Sequence, residues 1–584
     1  MRTLLTFVLI VIGLGSAHAG PADDLHRLFA EEWQWRMASD PLAATMRGIH
    51  DHDDRLPDVS PAAQAVRLKA LEAYRARLEA IPRAVLDEAD RLNADLFAFD
   101  LDGRIAEARF RTWRIPFLSD SGFHTEPVFV IEAMRFRDAA DYDVYLKRLA
   151  ALPRYLEQNM ANMRLGMREG FTMPRVILDG VAPGFAALAG AEPEESPFFK
   201  PFRNMPETIP EAERSRILGE ARRLLAKKVL PAYARLHRFF TDDYMPAART
   251  SIGARDLPDG AAFYRMRIRR FTTLDLSAEE IHKIGLAEVE RIRTEMQAVM
   301  EKAGFKGKLA DFIAFLRRDP RFYAKTPQEL LRRAAWIAKT IDGKLPAYFG
   351  RLPRMPYGVR AVPPEIAPNY TTGRYWPAIP GVRGGLYMVN TYALDKRPLY
   401  ALPALTLHEA VPGHHLQVAL ANEIEGVPEF RKALYVVAFG EGWGLYSERL
   451  GEEMGIYETP YEEFGRLSYE MWRAVRLVVD TGIHAMGWTR DEAIAFLRDN
   501  TALSEHNVAT EIDRYISWPG QALGYKIGEI RIRELRAKAE AALGDRFDIR
   551  AFHDAVLENG SLPLPILERR IDAYIARAAG REAP

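Results

Sequence analysis

The amino-acid sequence predicts a mainly α-helical protein, and three observations carry that prediction. Apolar residues recur at three- and four-residue spacing over most of the chain. Several of these stretches open on recognisable helix starts. Strand character is confined to one short run, "LYMVNT" at 386–391, with loose alternation.

The chain has 584 residues, enough for several domains or one large helical body. It opens on "MRTLLTFVLIVIGLGSAHAG". Arg2 supplies a positive start, 4–14 is an apolar core, and Ala17-His18-Ala19 is a small-x-small cleavage site. The apolar run is short for a membrane span, which needs roughly 20 residues. The expectation is a signal peptide over 1–19 and a mature protein exported to a periplasm or secreted. No stable membrane anchor is expected after cleavage. No cysteine follows the cut, which argues against a lipid anchor.

Between 21 and 170 lie long helical patterns such as "AAQAVRLKALEAYRARLEAI". The segment 178–206, rich in Gly, Pro and Glu, reads as a loop, and Glu192 to Glu195 as a solvated turn. The segment 245–260 reads as a joint between an N-terminal lobe (20–250) and a second lobe (251–584), unless 20–584 is one continuous domain. Ser277 to Glu280 forms a capping box, and the helix it opens carries Ile281, Val289, Ile292 and Met296 on one face. Thr326-Pro327-Gln328-Glu329 places proline in a first helical turn, and Thr489 to Glu492 opens another helix. The six prolines of 354–385 rule out a single helix there.

Composition narrows the function. With 48% hydrophobic and 27% charged residues the chain is an ordinary globular protein. A formal net charge of +0 argues against a nucleic-acid partner. With 0 cysteines, any metal site must use His, Asp and Glu.

Such a site is suggested by "LHEAVPGHHLQ" at 407–417. A zinc hydrolase needs three protein ligands and a base beside an open fourth position. On a helix, His at i and i+4 share a face and a Glu at i+1 reaches the reacting water. Here His408 and Glu409 supply the first ligand and the base, but the i+4 residue is Pro412. At about 100° per residue, His414 would sit roughly 120° away from His408 and His415 only about 20°. Pro412 cannot continue the ladder and Gly413 adds freedom, so a broken turn at 411–413 would re-aim both histidines. Either His414 or His415 can therefore complete the pair. The third ligand is expected from "AFGEGWGLYSERL" at 438–450. Glu441 and Glu448 share a helical face there, so one can ligate while the other orients a ligand histidine. Gly440, Gly442 and Gly444 let backbones pack closely.

"HEAVPGHHLQ" followed by "GEGWGLYSE" resembles the bacterial family of unknown function 885, whose pattern reads HExxPGHxxQ. His408, Glu409, Pro412, Gly413, His414 and Gln417 match it. The resemblance extends to "GGLYMVNT", "DTGIHAMGWTRDEAI" and "RYISWPGQALGYKIG", and covers nearly the whole mature chain. That family is similar to gluzincin metallopeptidases, including helical oligopeptidases. The resemblance implies a large multi-helical body with a deep cleft, and zinc held by His408, His414 and Glu441. It implies Glu409 as base in hydrolysis of short peptides; the alternatives are hydrolysis of another amide substrate and a non-catalytic peptide-binding protein. His484 and Tyr525 are the candidates for stabilising the oxyanion; the alternatives are a helix-end histidine and a packed aromatic. Lys526 or Arg383 could hold a substrate carboxylate. Asn390 could bond the substrate backbone or cap the next turn, and the run 386–391 could pair with an extended peptide.

Overall fold

Ser277 caps the N-terminus of a helix over Ala278–Lys302, with Glu280 closing the reciprocal bond, and its buried face includes Ile281, Val289, Ile292 and Met296. Thr326 caps Pro327–Asp342, and Thr489 caps Arg490–Asn500. The helical pattern near the N-terminus forms Pro61–Glu79. In each case a side-chain oxygen satisfies a backbone N–H that the first turn leaves free.

The structure, a computed structural model, describes residues 20–580 except 365 and 380. The expected signal peptide lies outside the described residues. The fold is mainly α with a small β element. Each of the two large apolar clusters draws residues from both sides of position 250. Among the described residues, no helix is long and apolar enough to cross a membrane.

Two expectations are corrected. The segment 178–206 is not a loop throughout: Leu178–Ala189 is helical and buries Leu178, Val181, Phe185 and Leu188. That spacing is a helix period, which the glycines and Pro183 obscured. The segment 354–385 contributes two strands, β1 (Tyr357–Ala361) and β2 (Gly373–Trp376). They flank β3 (Gly385–Val389) in the order β1-β3-β2, with β1 parallel and β2 antiparallel to it. β3 is thus the central strand, buried on both faces, and has no edge left for a peptide. The free edge nearest the HE motif belongs to β2.

The helix Pro460–Thr481 runs through the interior and is buried from Phe464 onward. It carries a stripe of buried charge: Arg466, Glu470, Arg473, Arg476 and Asp480 recur every three or four residues. Four of them are held by other elements, Arg466 by Glu452 of the helix Val437–Glu453. Glu470 accepts from Lys526 (2.8 Å), Arg476 donates to Glu511 (3.0 Å), and Asp480 accepts from Tyr264 Oη (2.6 Å). This helix therefore ties together the helices that carry the site.

Two of those, Val437–Glu453 and Leu523–Leu543, cross at glycine. A Cβ on Gly528 would lie 1.8 Å from the Ala438 carbonyl oxygen, and one on Gly442 2.5 Å from the Gly528 carbonyl carbon. Hydrogen in place of a side chain lets the two backbones touch.

Candidate metal centre

Leu402–Glu409 is a short, fully buried helix, anchored to the sheet where Tyr387 Oη meets Thr406 Oγ1 at 3.2 Å. It stops at Ala410, whose φ −97° and ψ −108° leave the helical region. The chain passes a cis Val411–Pro412 peptide and restarts as His414–Asn422. The break is bound from three sides. Gly413 N donates to Leu407 O (3.0 Å), His415 N to Ala410 O (3.0 Å), and Trp443 Nε1 to Pro412 O (2.8 Å). A Cβ at Gly413 would overlap the His408 carbonyl oxygen at 1.9 Å.

The restart turns His414, not His415, toward His408. The two rings stand perpendicular with centroids 4.8 Å apart. His408 Nε2 lies 3.4 Å and His414 Nε2 3.3 Å from the same oxygen, Glu441 Oε2. All three ligand atoms lie within 4.8 Å of one another. The outer ring nitrogens are occupied as well. His408 Nδ1 donates to Glu448 Oε1 at 2.8 Å, and His414 Nδ1 donates to Gln417 Oε1 at 3.4 Å. Carboxylate and amide oxygens only accept, so Nδ1 carries a proton in each ring, and in the neutral ring this leaves the Nε2 lone pair pointing inward. His408 lies flat against Gly444, where a Cβ would come within 2.9 Å of three ring atoms.

Two imidazole lone pairs and a carboxylate oxygen thus converge. Such a cluster needs positive charge at its centre, from protons or from a metal ion. Protonation responds to that demand: burial opposes charge on His408, yet the bonds to Glu441 and Glu448 outweigh it and raise the ring to about 10. Burial likewise works against a charged Glu441, but the two histidines hold it well below the ordinary carboxylate range. The donor set also fits zinc. Zn–N and Zn–O bonds of about 2.0–2.2 Å give tetrahedral edges of roughly 3.3–3.6 Å, which the two measured separations match.

Glu409, next to the first histidine, accepts from Tyr375 N of β2 through Oε2 at 2.7 Å. Tyr525 stacks near His408, with ring centroids 6.5 Å apart, and its hydroxyl accepts from Arg514 Nη2 at 3.4 Å. One residue that sequence reasoning missed joins them. Tyr435 stands beside this group: burial first, then the nearby charges of Glu441, Tyr525 and Glu409, hold its phenol hydroxyl well above the ordinary value. A Cβ on Gly440 would lie 2.3 Å from that hydroxyl, so glycine there makes room for it. The signal was present as an aromatic just before the "GEGW" helix, but it is a common residue in a common place.

Other candidates are not brought to the cluster. His415 faces the sheet: Nε2 donates to Met355 O (3.0 Å), Nδ1 meets Tyr375 Oη (3.3 Å), and burial lowers its pKa to about 4. His484 is fully buried, with Nδ1 accepting from Ala254 N (3.1 Å) and Nε2 donating to Tyr515 O (3.0 Å). Burial lowers it to about 3, and neither nitrogen is left for an oxyanion. Asn390 donates to Ala367 O, Tyr370 O and Thr371 O and accepts from Tyr392 N, so it clamps a loop instead of a substrate. Arg383 is tied to Glu132, Pro377 O and Gly384 O.

Lys526 is the clearest correction. Its side chain has no exposed surface, and Nζ lies 2.8 Å from Glu470 and 2.9 Å from both Glu529 and Glu288. It is a structural counter-charge. Lys526→Met would leave three carboxylates facing one another, and stability is expected to fall by about 3–5 kcal/mol. Urea unfolding of both proteins would measure it; an unchanged midpoint would contradict the assignment.

The geometry defines a class: helical proteins with a His-His-Glu cluster set across an interrupted helix. Residues 41–571 match the family described as "Bacterial protein of unknown function (DUF885)", and the chain belongs to that family. Two solved structures are similar, each described as a "putative lipoprotein". One, from Colwellia psychrerythraea, is 28% identical with a TM-score of 0.90, over 96% of this chain and 100% of that one. The other, from Shewanella oneidensis and of unknown function, is 18% identical with a TM-score of 0.71, over 94% and 99%. No curated protein matches.

Proposed function

We propose that this protein is an exported zinc-dependent metallopeptidase acting on short peptides, with His408, His414 and Glu441 as ligands and Glu409 as base. The observation that carries the reading is the convergence of two Nε2 atoms on one Glu441 oxygen at 3.3–3.4 Å, each histidine fixed from behind. When bound, zinc supplies Lewis acidity toward water and a substrate carbonyl.

The chain's own residues supply the rest. Glu409 takes a proton from the attacking water and passes it to the leaving amine. The Tyr375 N–H fixes the carboxylate that does so. Tyr435 and Tyr525 offer hydroxyls to the developing oxyanion. Tyr435→Phe is expected to lower kcat about 10²–10³-fold with little change in KM, as steady-state kinetics would report. The free edge of β2, beside Glu409, is suited to align an extended peptide. Export is supported by the apolar leader and by the lipoprotein description of the similar Colwellia psychrerythraea structure.

The test is elemental analysis of the purified mature protein beside a peptide-library assay. About one zinc per chain is expected, with peptide cleavage abolished by chelation and restored by zinc. Zinc without peptide cleavage, but with cleavage of other amides, would move the substrate class. Zinc with no hydrolysis at all would leave a binding protein. No zinc after reloading would overturn the proposal.

A further inference from the structure

A cavity of about 430 Å³ lies between segments from both halves of the chain, away from the His-His-Glu cluster. Its lining includes the aromatic rings of Phe117, Phe171, Phe263 and Trp518. It also includes Arg67, Arg104, Arg249 and Arg267, against a single lining carboxylate, Glu107.

Two of these arginines are neutralised. Arg104 pairs with Glu32 (2.6 Å), and Arg267 lies 3.3 Å from Glu107. The other two are not. Arg249 donates to the carbonyls of Thr172, Ser251 and Gly253, and Arg67 makes bonds of 3.3 Å to Gln64 Oε1 and Ser39 O. Asp40 and Asp58 act on Arg67, and Asp256 on Arg249, through space and without a hydrogen bond. Burial consequently lowers both guanidinium groups, Arg249 to about 10.

Both are half-buried, and neither has a carboxylate within hydrogen-bond reach. An anion in the cavity would supply the charge, and planar guanidinium groups suit a carboxylate. The aromatic rings would take an apolar body. We propose that this cavity is a binding site for a small carboxylate with an apolar or aromatic body, separate from the metal centre.

Two side chains stand between the sites. Arg514 lies over the Trp518 ring at 5.9 Å and reaches the Tyr525 hydroxyl, and the Tyr525 ring is 6.5 Å from His408. The proposal does not depend on the peptidase reading, because it rests on none of the cluster residues.

The experiment is isothermal titration of the full mature chain, stripped of metal so that a carboxylate cannot bind there, with 4-phenylbutyrate and 4-phenylbutyramide. The acid is expected to bind one per chain, and the uncharged amide about tenfold more weakly or worse, as befits loss of a charge-assisted bond. Arg67→Gln should weaken the acid by about the same factor. That variant keeps a helix-forming residue on an accessible helix. Ala108→Trp, which fills the cavity and keeps every arginine, should abolish binding. Thermal melts of both variants establish that they are folded. No binding of the acid, equal binding of acid and amide, or unchanged binding by both folded variants would each overturn the proposal.

Discussion

Replacing Glu409 by Gln is expected to lower turnover by about 10²–10⁴-fold, or about 3–5 kcal/mol of barrier, while zinc content stays at its wild-type level. The reason is that the two roles of this corner of the site fall on different residues. The converging ligand atoms belong to His408, His414 and Glu441, and Glu409 is not among them. Its carboxylate is instead held by Tyr375 N at 2.7 Å. A glutamine keeps the shape and an oxygen that accepts this bond, but it cannot take up a proton. Turnover and elemental analysis on one preparation separate the outcomes. Loss of metal together with activity would make Glu409 a structural support of the cluster. Full activity would remove it from the mechanism.

Much of this arrangement was legible in the sequence. The capped helices carry their signal in a few adjacent residues, so Ser277, Thr326 and Thr489 mark starts that the fold uses. Glu441 and Glu448 were legible as a pair because seven residues return to one helix face, and the structure uses both: one faces the cluster, one holds His408 from behind. What stayed hidden depends on contacts distant in sequence. Lys526 looks like a solvent-facing cation until three acids from three helices surround it. His484 sits in a distinctive motif, yet its two nitrogens serve backbone groups from residues 254 and 515. The buried charge from Arg466 to Asp480 was not legible, because charged residues are seldom buried unless paired and the partners lie on other elements. The two extra strands are short and lie among prolines, so their alternation is too brief to register. β3 in turn could be recognised as a strand, but not as the middle of a sheet.

His414→Ala and His415→Ala form the sharpest pair, because the residues are neighbours and a regular helix favours the wrong one. An unbroken helix would bring His415 back to within about 20° of His408. Instead the backbone leaves the helix at Ala410 and restarts at His414, and the restart exchanges the two rings. His414→Ala is therefore expected to weaken zinc by more than the about 10–100-fold typical of losing an outer partner such as Gln417 or Glu448, and to abolish hydrolysis. His415→Ala should keep about one zinc per chain. It removes bonds to Met355 O and Tyr375 Oη, so a stability loss of about 1–3 kcal/mol is expected. It also frees the strand residue whose N–H holds Glu409, so kcat should fall while metal affinity does not. Competition with a fluorescent zinc chelator measures both affinities directly. If zinc followed His415 instead, the interrupted helix would have to re-form through Pro412, against the missing N–H that ends it.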